Sequence, residues 1–234
     1  MYLIDRAKAS VGIVFAGPPG SGKSTALNAF IEYIPKTRET LVIQENDELH
    51  TKQSGFMFKH VTHGFHGEVA CSLEDLAKMA LVEGCNEFVI GEVKGGEMRY
   101  AMTLVNAGGH AAITVHSTNA YETLDKMADL VKYGSSYSFE EARRMLKTFD
   151  TIVYMEGYKI REILECTGYE NGQYKYVNIY RYNPEEDLAN AVEESAGVFA
   201  EEEEKPLPYE EGEVKPEDDL SGWDFSGENQ DSES

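Results

Sequence analysis

The stretch Gly17-Pro18-Pro19-Gly20-Ser21-Gly22-Lys23-Ser24 constrains this chain more than any other. It follows Val11 to Ala16 (VGIVFA), a short β-branched apolar run that reads as a buried strand. It opens a helix in which Leu27, Phe30, Ile31 and Ile34 recur at i, i+3, i+4 and i+7, and which Pro35 stops. The residues fit G-x-x-x-x-G-K-[ST] in the strand-to-helix context that this pattern requires. Glycines let backbone N–H groups turn inward around phosphate oxygens, and the helix N-terminus adds a favourable dipole. The expected nucleotide-binding set is therefore Gly17, Pro18, Pro19, Gly20, Ser21, Gly22, Lys23, Ser24 and Thr25. Lys23 would neutralise the β- and γ-phosphates of ATP, and Ser24 would bind Mg²⁺. A glycine-rich turn with no ligand is the alternative, and motif and context together weigh against it.

The rest of the chain sets the fold class. Thr40 to Gln44 (TLVIQ), Phe88 to Ile90 and Ala111 to Val115 read as further buried strands, and Glu45 to Glu68 as a loop. Ser72 opens the helix SLEDLAKMAL, Asn119 with Glu122 opens one with Leu124, Met127 and Val131 on one face, and Ser138 with Glu141 forms a capping box. This alternation predicts an α/β fold with a mostly parallel sheet flanked by helices. After Asp150 the pattern changes to three strand-like runs, TIVYMEG, IREILECTG and YKYVNIYRY, which predict an antiparallel meander.

Hydrolysis of a bound triphosphate needs a carboxylate to orient water and help hold the metal. Glu92, in FVIGEVKGG, follows an apolar strand and a glycine, so it projects at the strand's C-terminal end. Ligands bind at that edge in open α/β sheets. Glu45, Asp47 and Glu48, in IQENDEL, follow the second strand and are expected at the same edge. His110 and His116 bracket another apolar run, AGGHAAITVHSTNA, and could be a metal pair, an acid/base pair or structural histidines. As a strand, six residues separate them by roughly 20 Å, too far to share an ion.

The order of these motifs resembles one family, the ATPases of type II and type IV secretion and of pilus assembly, with the Tad/Flp pilus motors as the closest branch. GPPGSGKST is similar to their Walker A, IQENDEL to their Asp box, EFVIGEVKGGEM to their atypical Walker B, and GGHAAITVHSTNA to their His box. The resemblance covers about Val11 to Asn183. It implies a RecA-like P-loop ATPase domain working as a homo-oligomer, a hexameric ring. Hydrolysis of ATP with Mg²⁺ would drive protein export or pilin polymerisation, and an inner-membrane platform protein would be the partner. It implies catalytic roles for Glu92, Glu45, Glu48 and His116, with Ser24 and Glu92 on Mg²⁺ and His116 sensing the γ-phosphate. The chain departs from the pattern in places. Gln44 stands where the Asp box carries glutamate, Lys94 where arginine is common, and the His-box spacing is shorter by one or two residues. The domain that precedes the phosphate loop in the family is expected to be absent, or supplied by another chain. Two readings follow: an active motor, and a nucleotide-binding regulatory subunit that turns over poorly.

Charge bounds the partners. Residues 184–234 hold 19 Asp and Glu against Lys205 and Lys215, leaving a formal charge of −4 on residues 1–183. We therefore expect a domain over 1–183 and a disordered acidic tail over 184–234 that repels nucleic acid and acidic lipid. Scattered Cys71, Cys85 and Cys166, no apolar run of membrane-spanning length and no signal peptide at residues 1–10 lead us to expect a cytoplasmic protein, and the resemblance implies that partners hold it at the inner membrane face. His60, His63 and His66 could ligate zinc, although a solvated loop is favoured. Tyr174, Tyr176, Tyr180 and Tyr182 are expected on one half-buried strand face. Arg38, Arg99, Arg143 and Arg144 are the candidates for an arginine acting across a subunit boundary. Trp223 and Phe225 in the tail could form a docking motif.

Overall fold

The structure, a computed structural model, describes residues 1–9, 12–64 and 69–185. The tail, with Trp223 and Phe225, and His66 lie outside the described residues. The first apolar run forms β1 (Gly12–Gly17), buried along its whole length. A strand covered on both faces has no polar alternation to show, which is why it reads as a continuous apolar run. Its parallel neighbours are β7 (His110–His116) and β8 (Thr151–Glu156). Outward from β7 lie β6 (Glu87–Ile90), β2 (Thr40–Gln44) and β3 (Phe56–His60), all parallel. Outward from β8 lie β9 (Lys159–Glu170) and β10 (Gln173–Arg181), each antiparallel to the strand before it. The order is thus β10-β9-β8-β1-β7-β6-β2-β3, and the expected antiparallel meander closes one side of the sheet.

Alternate residues of the central strands feed two cores. Val14, Ala16, Ile43, Ile90 and Ile113 face one side, covered by α3 (Leu73–Val82), α4 (Met98–Asn106), α5 (Thr123–Lys132) and α6 (Phe139–Leu146). Ile13, Phe15, Val42, Val89 and Ala112 face the other, covered by α1 (Tyr2–Lys8) and α2 (Lys23–Ile31). Leu27, Phe30, Ile31 and Ile34 are buried as their spacing predicts. Both serine caps form reciprocal boxes, Ser72 with Asp75 and Ser138 with Glu141.

Two sequence expectations are corrected, and one helix has no counterpart among them. Glu45 to Glu68 is not all loop: it contains β3 and β4 (Thr62–His63), the latter paired with β5 (Val69–Cys71). β3 has one parallel partner and only one half-buried face, with Met57 46 % exposed, so it lacks the apolar run that marked its neighbours. Helix α4 was passed over, although Met98, Ala101, Met102 and Val105 are buried at helical spacing. The four tyrosines do not share one environment. Tyr174 and Tyr176 pack on the core, whereas Tyr180 is exposed and Tyr182 lies beneath Lys159 and Arg161. An irregularity between Asn178 and Tyr180, where β10 carries an extra residue, breaks the period of two.

Candidate functional site at the strand edge

The C-terminal ends of β1, β7, β6 and β2 lie side by side, and each delivers part of one polar cluster. Six consecutive pairs run between β1 and β7 and end with Gly17 opposite His116. The chain then turns through the glycine-rich loop into α2. A Cβ at Gly17 would stand 2.2 Å from the Met155 carbonyl oxygen, so the loop can leave β1 there only with glycine. Gly22 occupies the N-cap of α2 with φ 94°, a left-handed conformation that suits glycine. Unlike α3 and α6, α2 has no capping side chain, so its first-turn N–H groups are left to water or a ligand.

Lys23, 6 % exposed, donates to the Pro18 carbonyl at 2.9 Å and lies 3.2 Å from His116 Nδ1. Burial pushes its pKa down, against the opposing pull of Glu92 and Glu48. His116 Nε2 contacts Glu92 Oε1 at 2.6 Å, and Glu92 Oε2 lies 3.1 Å from Lys94 Nζ. Lys94 Nζ also donates to Glu45 Oε2 at 2.8 Å. The hydrogen bond with Glu45 raises the Lys94 pKa and lowers that of Glu45. A continuous chain, Lys23–His116–Glu92–Lys94–Glu45, thus crosses four strand ends. It borders a cavity of about 190 Å³ that Ser24 and Glu48 also line.

Pro19 and Gly20 line that cavity too. Pro18 and Pro19 border a larger neighbouring cavity of about 640 Å³. Ser21 is buried, and Thr25 is exposed on the first turn of α2.

Gln44 is a residue whose part the sequence does not disclose. Its amide is 1 % exposed and is turned onto the loop that follows it. Oε1 accepts from the backbone N–H of Leu49 at 2.8 Å and of Glu48 at 3.2 Å. Nε2 donates to the Leu49 carbonyl at 3.1 Å and approaches Asp47 Oδ1 and His60 Nε2 at 3.2 and 3.0 Å. A glutamate could not supply those donors, so the departure from the Asp-box pattern has a structural use. Thr114 was likewise missed: its hydroxyl donates to the Gly91 carbonyl at 2.6 Å, fixing the residue before Glu92.

His110 lies at the opposite end of β7 from His116. Its Nδ1 is 3.0 Å from the Ala9 carbonyl oxygen and 3.4 Å from Arg38, which also pairs with Glu87. The two histidines are thus held at opposite ends of the strand, as its length predicts. Arg99 and Arg143 pair with Glu74 and Asp125 within the chain, and Arg144 is exposed. Among the described residues no group of three His, Cys, Asp or Glu is arranged to hold a metal, and His60 instead faces Gln44 and Asp47.

A mostly parallel sheet with a glycine-rich loop at its central strand end and helices on both faces defines a RecA-like α/β protein. The chain belongs to the type II/IV secretion system protein family, whose profile matches residues 3–143. The type IV secretion system protein VirB11 of Bartonella quintana (strain Toulouse) is 26 % identical over 187 residues, covering 78 % of this chain and 49 % of that protein. The chain spans about half the length of such relatives. Among solved structures, the VirB11 ATPase of Brucella suis in complex with sulphate shares the fold with a TM-score of 0.57 at 22 % identity, over 70 % of this chain and 52 % of that one. The pilus retraction motor PilT with bound ADP does so with a TM-score of 0.54 at 19 % identity, over 86 % and 57 %. Among the described residues no helix is long and apolar enough to cross a membrane.

Proposed function

We propose that this chain is the ATP-hydrolysing motor domain of a secretion or pilus assembly system, at the cytoplasmic face of the inner membrane and working in a hexameric ring against a membrane platform protein. The observation that carries this reading is the contact of His116 with both Lys23 and Glu92 at the mouth of the glycine-rich loop. Lys23 would bind the β- and γ-phosphates, which replace part of its present contacts. Ser24 and Glu92 border one cavity, so they would hold the Mg²⁺ that accompanies the triphosphate and neutralises its charge. Glu92 would accept a hydrogen bond from the attacking water and orient it. His116, relieved of Glu92, would donate to the γ-phosphate. Glu45 and Glu48 complete the acidic wall that keeps the metal side of the cavity negative.

The uncapped N-terminus of α2 and the left-handed Gly22 support the fit to a phosphate ligand. The names of the related proteins support coupling to export or pilus dynamics. The test is steady-state phosphate release by the purified chain and by Glu92→Gln. Activity in the wild type and a loss of about a hundredfold in the variant are expected if Glu92 orients the water. An inactive wild type, with and without its secretion partners, would leave only a nucleotide-binding regulatory subunit.

A further inference from the structure

The turn from β8 to β9 carries a residue outside the polar cluster at the strand edge. Gly157 and Tyr158 are its two central residues, with φ of 58° and 62°, between the paired Glu156 and Lys159. Two left-handed residues in a two-residue hairpin favour Asn and Gly, and an aromatic residue is strained there. Tyr158 nevertheless stands there, and it is 78 % exposed. Its position is tied to the phosphate loop. Its backbone N–H donates to the Ser21 carbonyl at 3.2 Å. Its ring edge lies so close to Gly22 that a Cβ there would stand 3.3 Å from Tyr158 Cδ1.

The sheet order gives the direction of a bound nucleotide. Glu92 and His116, which would meet the γ-phosphate, come from β6 and β7 on one side of β1. A nucleotide so oriented would run its nucleoside end toward the other side, where β8 ends and its turn carries Tyr158. We propose that the Tyr158 ring is a stacking platform for the base of a nucleoside triphosphate whose phosphates lie in the Gly17–Ser24 loop. This rests on the phosphate-site reading above. A π-face recognises ring area rather than hydrogen-bond pattern. The platform therefore favours purines over pyrimidines and does not distinguish adenine from guanine.

The test is calorimetric titration of the full chain with ATP, CTP and, as a base-free probe, inorganic tripolyphosphate, each with Mg²⁺. Tyr158→Gly removes the ring and suits the left-handed turn, so its thermal midpoint should not fall. Tyr158→Phe keeps the platform. Stacking of one base predicts ATP affinity about five- to a hundredfold weaker in Tyr158→Gly. Tripolyphosphate affinity should be unchanged in both variants, Tyr158→Phe should match the wild type, and wild-type CTP should bind more weakly than ATP. Unchanged ATP affinity in Tyr158→Gly, with tripolyphosphate still bound, overturns the platform and leaves the phosphate site standing. Equal losses of ATP and tripolyphosphate also overturn it, since the ring would then only shape the loop. A wild-type chain that binds neither overturns both readings.

Discussion

Replacing Gln44 with leucine keeps the side-chain volume and removes every hydrogen bond the amide makes. Leu49 is 1 % exposed, and its backbone N–H and carbonyl are both bonded to Gln44, at 2.8 and 3.1 Å. An orphaned buried polar group costs about 1–3 kcal/mol. Two such groups amount to about 2–6 kcal/mol, reduced by the apolar surface that leucine buries and by any relaxation of the loop. We expect a loss of about 3 kcal/mol, corresponding to a thermal midpoint about 6–12 °C lower for a domain of this size. The same loop carries Glu45 and Glu48, so ATP affinity should weaken as well. Urea unfolding followed by circular dichroism measures the first effect and nucleotide titration of the still-folded variant the second. A change of less than about 1 kcal/mol would mean that the two Leu49 groups find other partners and that Gln44 does not hold the loop.

Further outcomes are expected. Gly17→Ala drives a Cβ to 2.2 Å from a backbone oxygen and should destabilise the domain by on the order of 3 kcal/mol, read as a shifted urea midpoint; a near-neutral result would mean that the β8 end moves aside freely. His116→Ala removes the link between Lys23 and Glu92 and should lower kcat by about a hundredfold while ATP affinity stays within about threefold; equal losses in both would remove the γ-phosphate role. His110 has its pKa lowered from the ordinary 6.5, chiefly by burial and then by Arg38. The unfolded chain therefore binds this proton more readily, and stability should fall as pH drops through 6.5. His110→Gln should flatten that slope, and an unchanged slope in unfolding experiments between pH 7 and 5 would contradict the assignment.

The parts legible in the sequence share a physical basis. β1, β2, β6 and β7 are covered on both faces, so burial writes itself as an apolar run, and residues just past such runs fall at one edge. That logic reaches Lys23, Glu45, Glu92 and His116, which the fold does bring into contact. β3 escaped because an edge strand needs only one apolar face, and α4 because its short apolar stripe is bracketed by Gly95-Gly96 and Gly108-Gly109. Gln44 could not be understood from sequence, since its partners are mainly backbone groups of its own loop, which no side-chain pattern announces. The irregularity in β10 between Asn178 and Tyr180 is equally silent, and it separates tyrosines that a strict alternation would have aligned.

The ladder between β1 and β7 acts as a length gauge. Inserting one residue inside either strand would turn every later side chain to the opposite face and carry His116 away from Lys23. Gly108, at the far edge of the sheet, has open space around it, and extra residues there leave the pairing intact. Length differences between relatives across this stretch should therefore collect at the glycine turn. Aligning them by counting backward from the histidine, rather than forward from the glycines, keeps the site in register.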